Sequence, residues 1–310
     1  MEFLQLLKDL RFPVLNWIMQ VLTWCGEETV FMMTALILFW CVDKWKGYFI
    51  LATGFLGTIF NQFLKLVFRI PRPWTVDESI IVPSAKGGAT GFTFPSGHTQ
   101  NAVGTYGGIA RSFRDKRIRI GAVVLIVLIA FSRMYLGAHY PSDVAVSLVT
   151  GTILIFALYP VIQKAKQSPR FMLGFLAAMA LIAAAYVAFV SLCPFPAEVA
   201  GMQAEEVQAC YASGAKNGYT LLGAVLGLIV SYVVDLKRLH FQEKAPFWGQ
   251  VLKVVLGLAG ILAIRMGLSK LFGLISDALF WNTLRYFCMV VFAGVVWPMT
   301  FPFWQRIGRR

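Results

Sequence analysis

Charge is scarce in this chain, and one sign of it is scarcer still. Only 14% of the 310 residues are charged, while 58% are hydrophobic. A soluble domain carries about a quarter charged residues, so the balance excludes an ordinary water-soluble globule and makes a bilayer the solvent. Carboxylates number 15 against 28 Lys and Arg, and none are gathered as a divalent ion would require, so no metal and no cofactor is expected. The five cysteines lack CxxC-type spacing, which removes a zinc site. "MEFLQLLKDLRFPVLNW" lacks a basic start followed by an unbroken apolar core, so no cleavable signal peptide is expected.

What is present is apolar and periodic. A helical span needs roughly 20 mostly apolar residues, and nine candidates run over about 28–44, 47–69, 98–111, 119–138, 142–163, 171–193, 217–235, 249–272 and 281–301. The span at 98–111 is the weakest, being short and partly polar. Leu4, Leu7, Leu10, Val14, Ile18 and Val21 recur at helical spacing, so 1–27 reads as an amphipathic helix lying in the interface, with a tenth span as the alternative. The fold class is thus an all-α integral membrane bundle. The net charge of +13 sits in the linkers "DKWK", "RSFRDKR", "QKAKQSPR", "DLKRLHFQEK" and "RIGRR". Alternate linkers are less basic or acidic. The positive-inside rule then places the N-terminus outside, the C-terminus in the cytoplasm, and loops 70–97 and 139–141 outside. Basic residues in such loops argue for a bilayer and against nucleic acid.

Three polar clusters interrupt the apolar text. "KLVFRIPRP" holds Lys65, Arg69 and Arg72; "FPSGH" holds Ser96, Gly97 and His98; "SRMYLGAHYPSD" holds Arg133, His139 and Asp143. Ionisable residues in a membrane chain mark function by default, and this topology brings all three clusters to one face. Lys65, Arg72 and Arg133 can surround a group with two negative charges and several acceptor oxygens. Ser96 and Gly97 precede a helix starting near His98, whose first amides can face an anion. His139 and Asp143 are four apart, on one helical face if a helix begins by Tyr140. The carboxylate can hold one ring nitrogen and aim the other, making His139 a nucleophile toward phosphorus. His98 then protonates the leaving oxygen and later activates water.

Taken in order, Lys65, six residues, Arg72-Pro73; Pro95-Ser96-Gly97-His98; and Ser132-Arg133, five residues, His139, three residues, Asp143 resemble the three-part signature of the type-2 phosphatidic acid phosphatase family. The resemblance covers about residues 28–163. It implies phosphate ligation by Lys65, Arg72, Ser96, Gly97 and Arg133, acid catalysis by His98, a phosphohistidine at His139 and a supporting Asp143. Residues 166–310 carry no part of the signature and read as a C-terminal transmembrane extension of a catalytic bundle over 28–165.

Several residues keep two readings. Arg69 falls outside the spacing and reads as a snorkelling side chain; His240 reads as surface. Asn61 can orient the Lys65 amine or bridge helices. Arg265, inside an apolar run, is a candidate contact for a substrate headgroup or a structural cation. Cys193 and Cys210 can pair or stay free. The runs "GAVLGLIVS" and "GLAGILA" predict close helix packing in the extension. The expected activity is removal of phosphate from a lipid phosphate or diphosphate at the outer leaflet. Undecaprenyl diphosphate comes first by family analogy, followed by phosphatidic acid, phosphatidylglycerol phosphate and sphingoid-base phosphate. A lipid phosphotransferase would use the same site. A transporter is the rival from another class, disfavoured because the charges lie at one face and no inverted repeat is visible.

Overall fold

The computed structural model describes residues 1–87, 90–276 and 278–307; of the basic C-terminal stretch 306–310, the last three residues lie outside that range. Among the described residues there are helices and turns but no strand. We number the main helices α1 (Glu2–Asp9), α2 (Pro13–Trp24), α3 (Glu28–Ile37), α4 (Lys44–Phe68), α5 (Gly97–Ala102), α6 (Gly108–Ser112), α7 (Lys116–Tyr135), α8 (Pro141–Gln167), α9 (Pro169–Leu192), α10 (Ala204–Val234), α11 (Phe247–Gly273) and α12 (Phe280–Val291).

Seven described helical stretches are long and apolar enough to cross a membrane, or eight if the pair Pro13–Trp24 and Glu28–Val42, bent by 49°, forms one span. That agrees roughly with the nine expected. The segment expected at 98–111 is α5, a π-helical turn over Val103–Gly107, and α6. From Gly97 to Ser112 it reaches only about 24 Å at 1.5 Å per residue, and its first turn carries His98, Thr99, Gln100 and Asn101.

The contacts divide the chain into two compact units. The first comprises Met1–Met32, Phe49–Pro160 and Leu192–Gly214. One of its cores joins Met19 of α2 to Tyr135, Leu136 and Ala138 at the end of α7 and to Ile81, Val82 and Ala85. Two local signals then shape the chain where the polar clusters lie. Helix α7 ends in a Schellman arrangement: Gly137 N–H donates to the Met134 carbonyl and Ala138 N–H to the Arg133 carbonyl, both at 3.0 Å, as this motif requires. Gly137 has φ +77°, and a Cβ there would lie 2.0 Å from the Ile80 carbonyl oxygen. Helix α8 then starts with Pro141 in its first position. Asp143 reaches back to accept the Tyr140 N–H at 2.9 Å, the carboxylate half of a capping box.

The second unit comprises Met33–Tyr48, Val161–Ser191 and Ala215–Arg310. Its small residues sit at close helix approaches, as their runs predict: Gly223 and Gly227 face Thr283, Phe287 and Val290, and Gly260 faces Phe292. Its buried charges are matched locally. Lys253 donates to the Trp40 carbonyl at 2.7 Å and the Glu243 carbonyl at 2.8 Å, with the Phe301 ring 4.3 Å away. Lys44 pairs with Asp235 at 2.7 Å. His240 is exposed.

Candidate active site

The first unit gathers Lys65, Arg72, Ser96, Gly97, His98, Arg133, His139 and Asp143 into one cluster. Lys65, Arg72 and Arg133 are all buried, as are Ser96, His139 and Asp143. Lys65 stands in the last turn of α4 and donates to the Phe92 carbonyl. Arg72 follows α4 and is held by three backbone carbonyls: Gly91 at 2.9 Å, Thr90 at 2.6 Å and Ala138 at 3.1 Å. One of its nitrogens lies 3.5 Å from Nε2 of His139. Arg133 is in the last turn of α7, where the negative end of the helix dipole favours a cation. Its Nη1 donates to Thr23 Oγ1 of α2 at 2.6 Å. Its Nε and Nη2 are buried with no hydrogen-bond partner.

Ser96 caps α5, accepting the Thr99 N–H at 3.4 Å. Its own amide donates to the Asp143 carbonyl at 3.2 Å, so that N–H is engaged rather than turned toward an anion, and Gly97 and His98 are the first helical residues. Of the three cations, Arg133 acts most strongly on the His98 ring and Arg72 on that of His139.

His139 Nδ1 faces Asp143 Oδ2 at 3.3 Å and Thr93 Oγ1 at 3.1 Å. The Thr93 hydroxyl has one proton and gives it to Asp143 Oδ2 at 2.6 Å. It therefore accepts from His139, and the ring proton sits on Nδ1. That assignment leaves the lone pair on Nε2, the nitrogen nearest Arg72. Burial first, then the charges of Arg72, Arg133 and Lys65, push the His139 imidazole well below its ordinary pKa. The ring is neutral and able to attack.

Asn61 is buried and donates to the Pro95 carbonyl at 3.3 Å, not to Lys65, and its Oδ1 has no partner. Arg69, just past the end of α4, is half-buried and donates to the Leu66 carbonyl of that helix at 3.3 Å. Arg265 belongs to the second unit, exposed on α11. All five cysteines are free thiols, Cys193 exposed and Cys210 buried. Two contributors escaped the sequence reading. Thr93 lay inside the stretch "GFTFPSGH" as a hydroxyl among aromatics, which was a usable signal. Thr23 is an ordinary-looking residue on an apolar helix and gave none.

Three buried cations beside one buried carboxylate, with half-buried Glu27 acting on Arg133 from further out, leave the cluster net positive, which suits a phosphate anion. Burying cations unpaired costs several kcal/mol each, so the arrangement makes physical sense around an anion. Residues 45–167 match the PAP2 superfamily, and residues 219–306 match its phosphatase transmembrane extension. The chain belongs to the PAP2 superfamily. This PAP2 chain is 35% identical over 108 residues to undecaprenyl-diphosphatase BcrC of Bacillus subtilis, covering 34% of this chain and 53% of that protein. It thus spans about half the length of that relative. It is 29% identical over 171 residues to phosphatidylglycerophosphatase B of the same organism, covering 51% and 80% of the two chains. It is 31% identical over 106 residues to lipid A 4'-phosphatase of Bacteroides thetaiotaomicron, covering 33% and 46%. No solved structure matches the chain significantly.

Proposed function

We propose that this protein is a membrane phosphohydrolase that removes phosphate from a lipid phosphate or diphosphate at the extracytoplasmic face. The observation that carries the reading is the Arg133 side chain, whose Nε and Nη2 are buried and unpartnered. They form the flat edge of the guanidinium that binds phosphate oxygens in parallel. In this reading Arg133, Lys65 and Arg72 hold the phosphoryl oxygens, together with the first amides of α5. His139 Nε2 attacks phosphorus. The bond to the leaving oxygen breaks as the P–N bond forms, and His98 donates the proton that oxygen needs. Burial and the three cations push the His98 ring well below the ordinary imidazole range, so it takes up that proton as the phosphate dianion offsets the cations. Deprotonated His98 then takes a proton from water, which attacks the phosphohistidine, releases inorganic phosphate and restores both rings. Asp143 keeps the His139 proton on Nδ1 and balances the charge the ring acquires.

Undecaprenyl diphosphate is the first substrate to test, because a 35% identical relative carries that activity in its name; phosphatidylglycerol phosphate is the second. Purified protein should release inorganic phosphate from a panel of lipid phosphates with excess EDTA present, since Asp143 spends Oδ2 on Thr93, Tyr140 and His139 and its one remaining oxygen does not by itself hold a divalent ion. Vanadate should inhibit as a mimic of the pentacoordinate transition state. Activity that disappears with the chelator and returns with magnesium would contradict the mechanism, and phosphate appearing on an acceptor lipid would make the enzyme a transferase.

The orientation rests on the basic linkers. A cysteine placed in loop 74–87, with the native cysteines replaced, should react with an impermeant thiol reagent on intact cells. One placed at 112–117 should react only after lysis. The reverse pattern would move the substrate to the cytoplasmic leaflet.

A further inference from the structure

We propose that residues 192–214, the loop after α9 together with the first turns of α10, are a working part of the phosphate site. Among them Tyr211 is a positioning residue that acts through Phe92 on the Lys65 amine. The inference rests on the phosphate-site reading above and deepens it. Residues 192–214 lie outside the three-part motif, yet they belong to the same compact unit as the cluster. Three rings stand in line there. Phe195 stacks on Tyr211 with centroids 4.8 Å apart, and Tyr211 meets Phe92 edge-on at 5.6 Å. The Tyr211 hydroxyl donates to the Pro196 carbonyl at 3.0 Å, closing the segment on itself.

Phe92 is the link to chemistry. Its ring is buried against Tyr211, and its own carbonyl accepts the Lys65 ammonium. The two preceding carbonyls, Gly91 and Thr90, hold Arg72. Two phosphate-binding cations are therefore set by three consecutive carbonyls whose nearest large side chain leans on Tyr211. Helix α10 also approaches α4 closely at this level. A Cβ on Gly214 would come within 3.0 Å of the Leu66 side chain, next to Lys65. Cys210, beside Tyr211, is buried and within electrostatic reach of both Arg72 and Lys65. Edge-to-face rings hold a defined geometry that a smaller side chain does not reproduce. Removing the Tyr211 ring lets Phe92 and its carbonyl shift, and with them the ammonium.

Such a shift weakens anion binding more than the chemical step, because Lys65 rests on the Phe92 carbonyl itself, whereas His139 and Asp143, though both touch the neighbouring Thr93, are also held to each other and to the Tyr140 N–H. The test is binding of inorganic phosphate, read as the phosphate-dependent rise in Tm, alongside steady-state kinetics. Tyr211→Ala should weaken phosphate binding and raise KM by about tenfold, the scale of one weakened charge-assisted hydrogen bond, with kcat nearly unchanged. Tyr211→Phe keeps the ring and should restore both values. Phe195→Ala, at the outer end of the stack, should shift both in the same direction by less, and it decides the matter if Tyr211→Ala does not fold. The proposal is overturned if both alanine variants bind phosphate as the parent does. It is equally overturned if kcat falls at constant KM, or if Tyr211→Phe is as weak as Tyr211→Ala. The binding measurement needs no turnover. A parent protein that binds phosphate but hydrolyses no lipid would refute the hydrolase reading and leave this comparison standing.

Discussion

A His139→Ala variant is expected to release no phosphate from any lipid substrate and to trap none on the protein after acid quenching. Alanine removes the atom that forms the bond to phosphorus, and the other ring in the cluster cannot replace it. His98 has no carboxylate in its own motif, whereas His139 Nδ1 is oriented by Asp143 and Thr93. The loss should be on the scale of removing a covalent nucleophile, about a millionfold in kcat. His98→Ala should behave differently. A nitrophenolate leaves without protonation, so that variant should keep phosphoenzyme formation from a nitrophenyl phosphate while losing the lipid alkoxide substrate. The pH profile follows from the same ring. Because burial and the three cations lower the His139 pKa, its neutral form persists to acid pH. The acid limb of kcat/KM should therefore fall below the ordinary imidazole range. Phosphate found on His98, or a His139→Ala variant that still forms phosphoenzyme, would exchange the two roles.

Much of this site could be read in advance because its parts are local. Helix starts at Gly97 and Pro141 are written by Ser96, Gly97 and Pro141 themselves, and each start aims the residues that follow it. The i, i+4 spacing of His139 and Asp143 survives folding for the same reason. The rest depends on atoms that leave little trace in a sequence. Three of Arg72's bonds go to backbone carbonyls, which every residue carries. The Thr23 hydroxyl is indistinguishable from any other on an apolar helix until α2 is placed against α7. The stretch 194–216 reads as a linker by composition, and only tertiary contacts join residues 192–214 to the first unit. The stretch 98–111 is the weakest of the nine candidate spans because its polar first turn shortens the apolar run, and the structure builds it from two short helices joined by a π-helical turn.

The second large effect is expected at Arg133, and it separates the two arginines. Arg72 already satisfies the carbonyls of Thr90, Gly91 and Ala138, so it builds the site as well as serving it. Arg133 has one nitrogen fixed by Thr23 and the edge formed by Nε and Nη2 open. A lysine carries the same charge but no such edge. Arg133→Lys should therefore lower kcat/KM by about a hundredfold to a thousandfold, the range for removing a preorganised donor at a developing charge. Its Tm should change little, because the fold takes only one hydrogen bond from the side chain. Arg72→Lys should lose Tm as well as activity, since three carbonyls lose their donors and each buried unsatisfied group costs about 1–3 kcal/mol. Thr23→Val tests the anchor alone. It keeps the shape of the threonine, removes the acceptor for Nη1, and should lower activity less than Arg133→Lys while leaving nucleophile and acid intact. If Arg133→Lys retains activity within about threefold of the parent, well short of that donor-removal range, the open edge is not the phosphate fork.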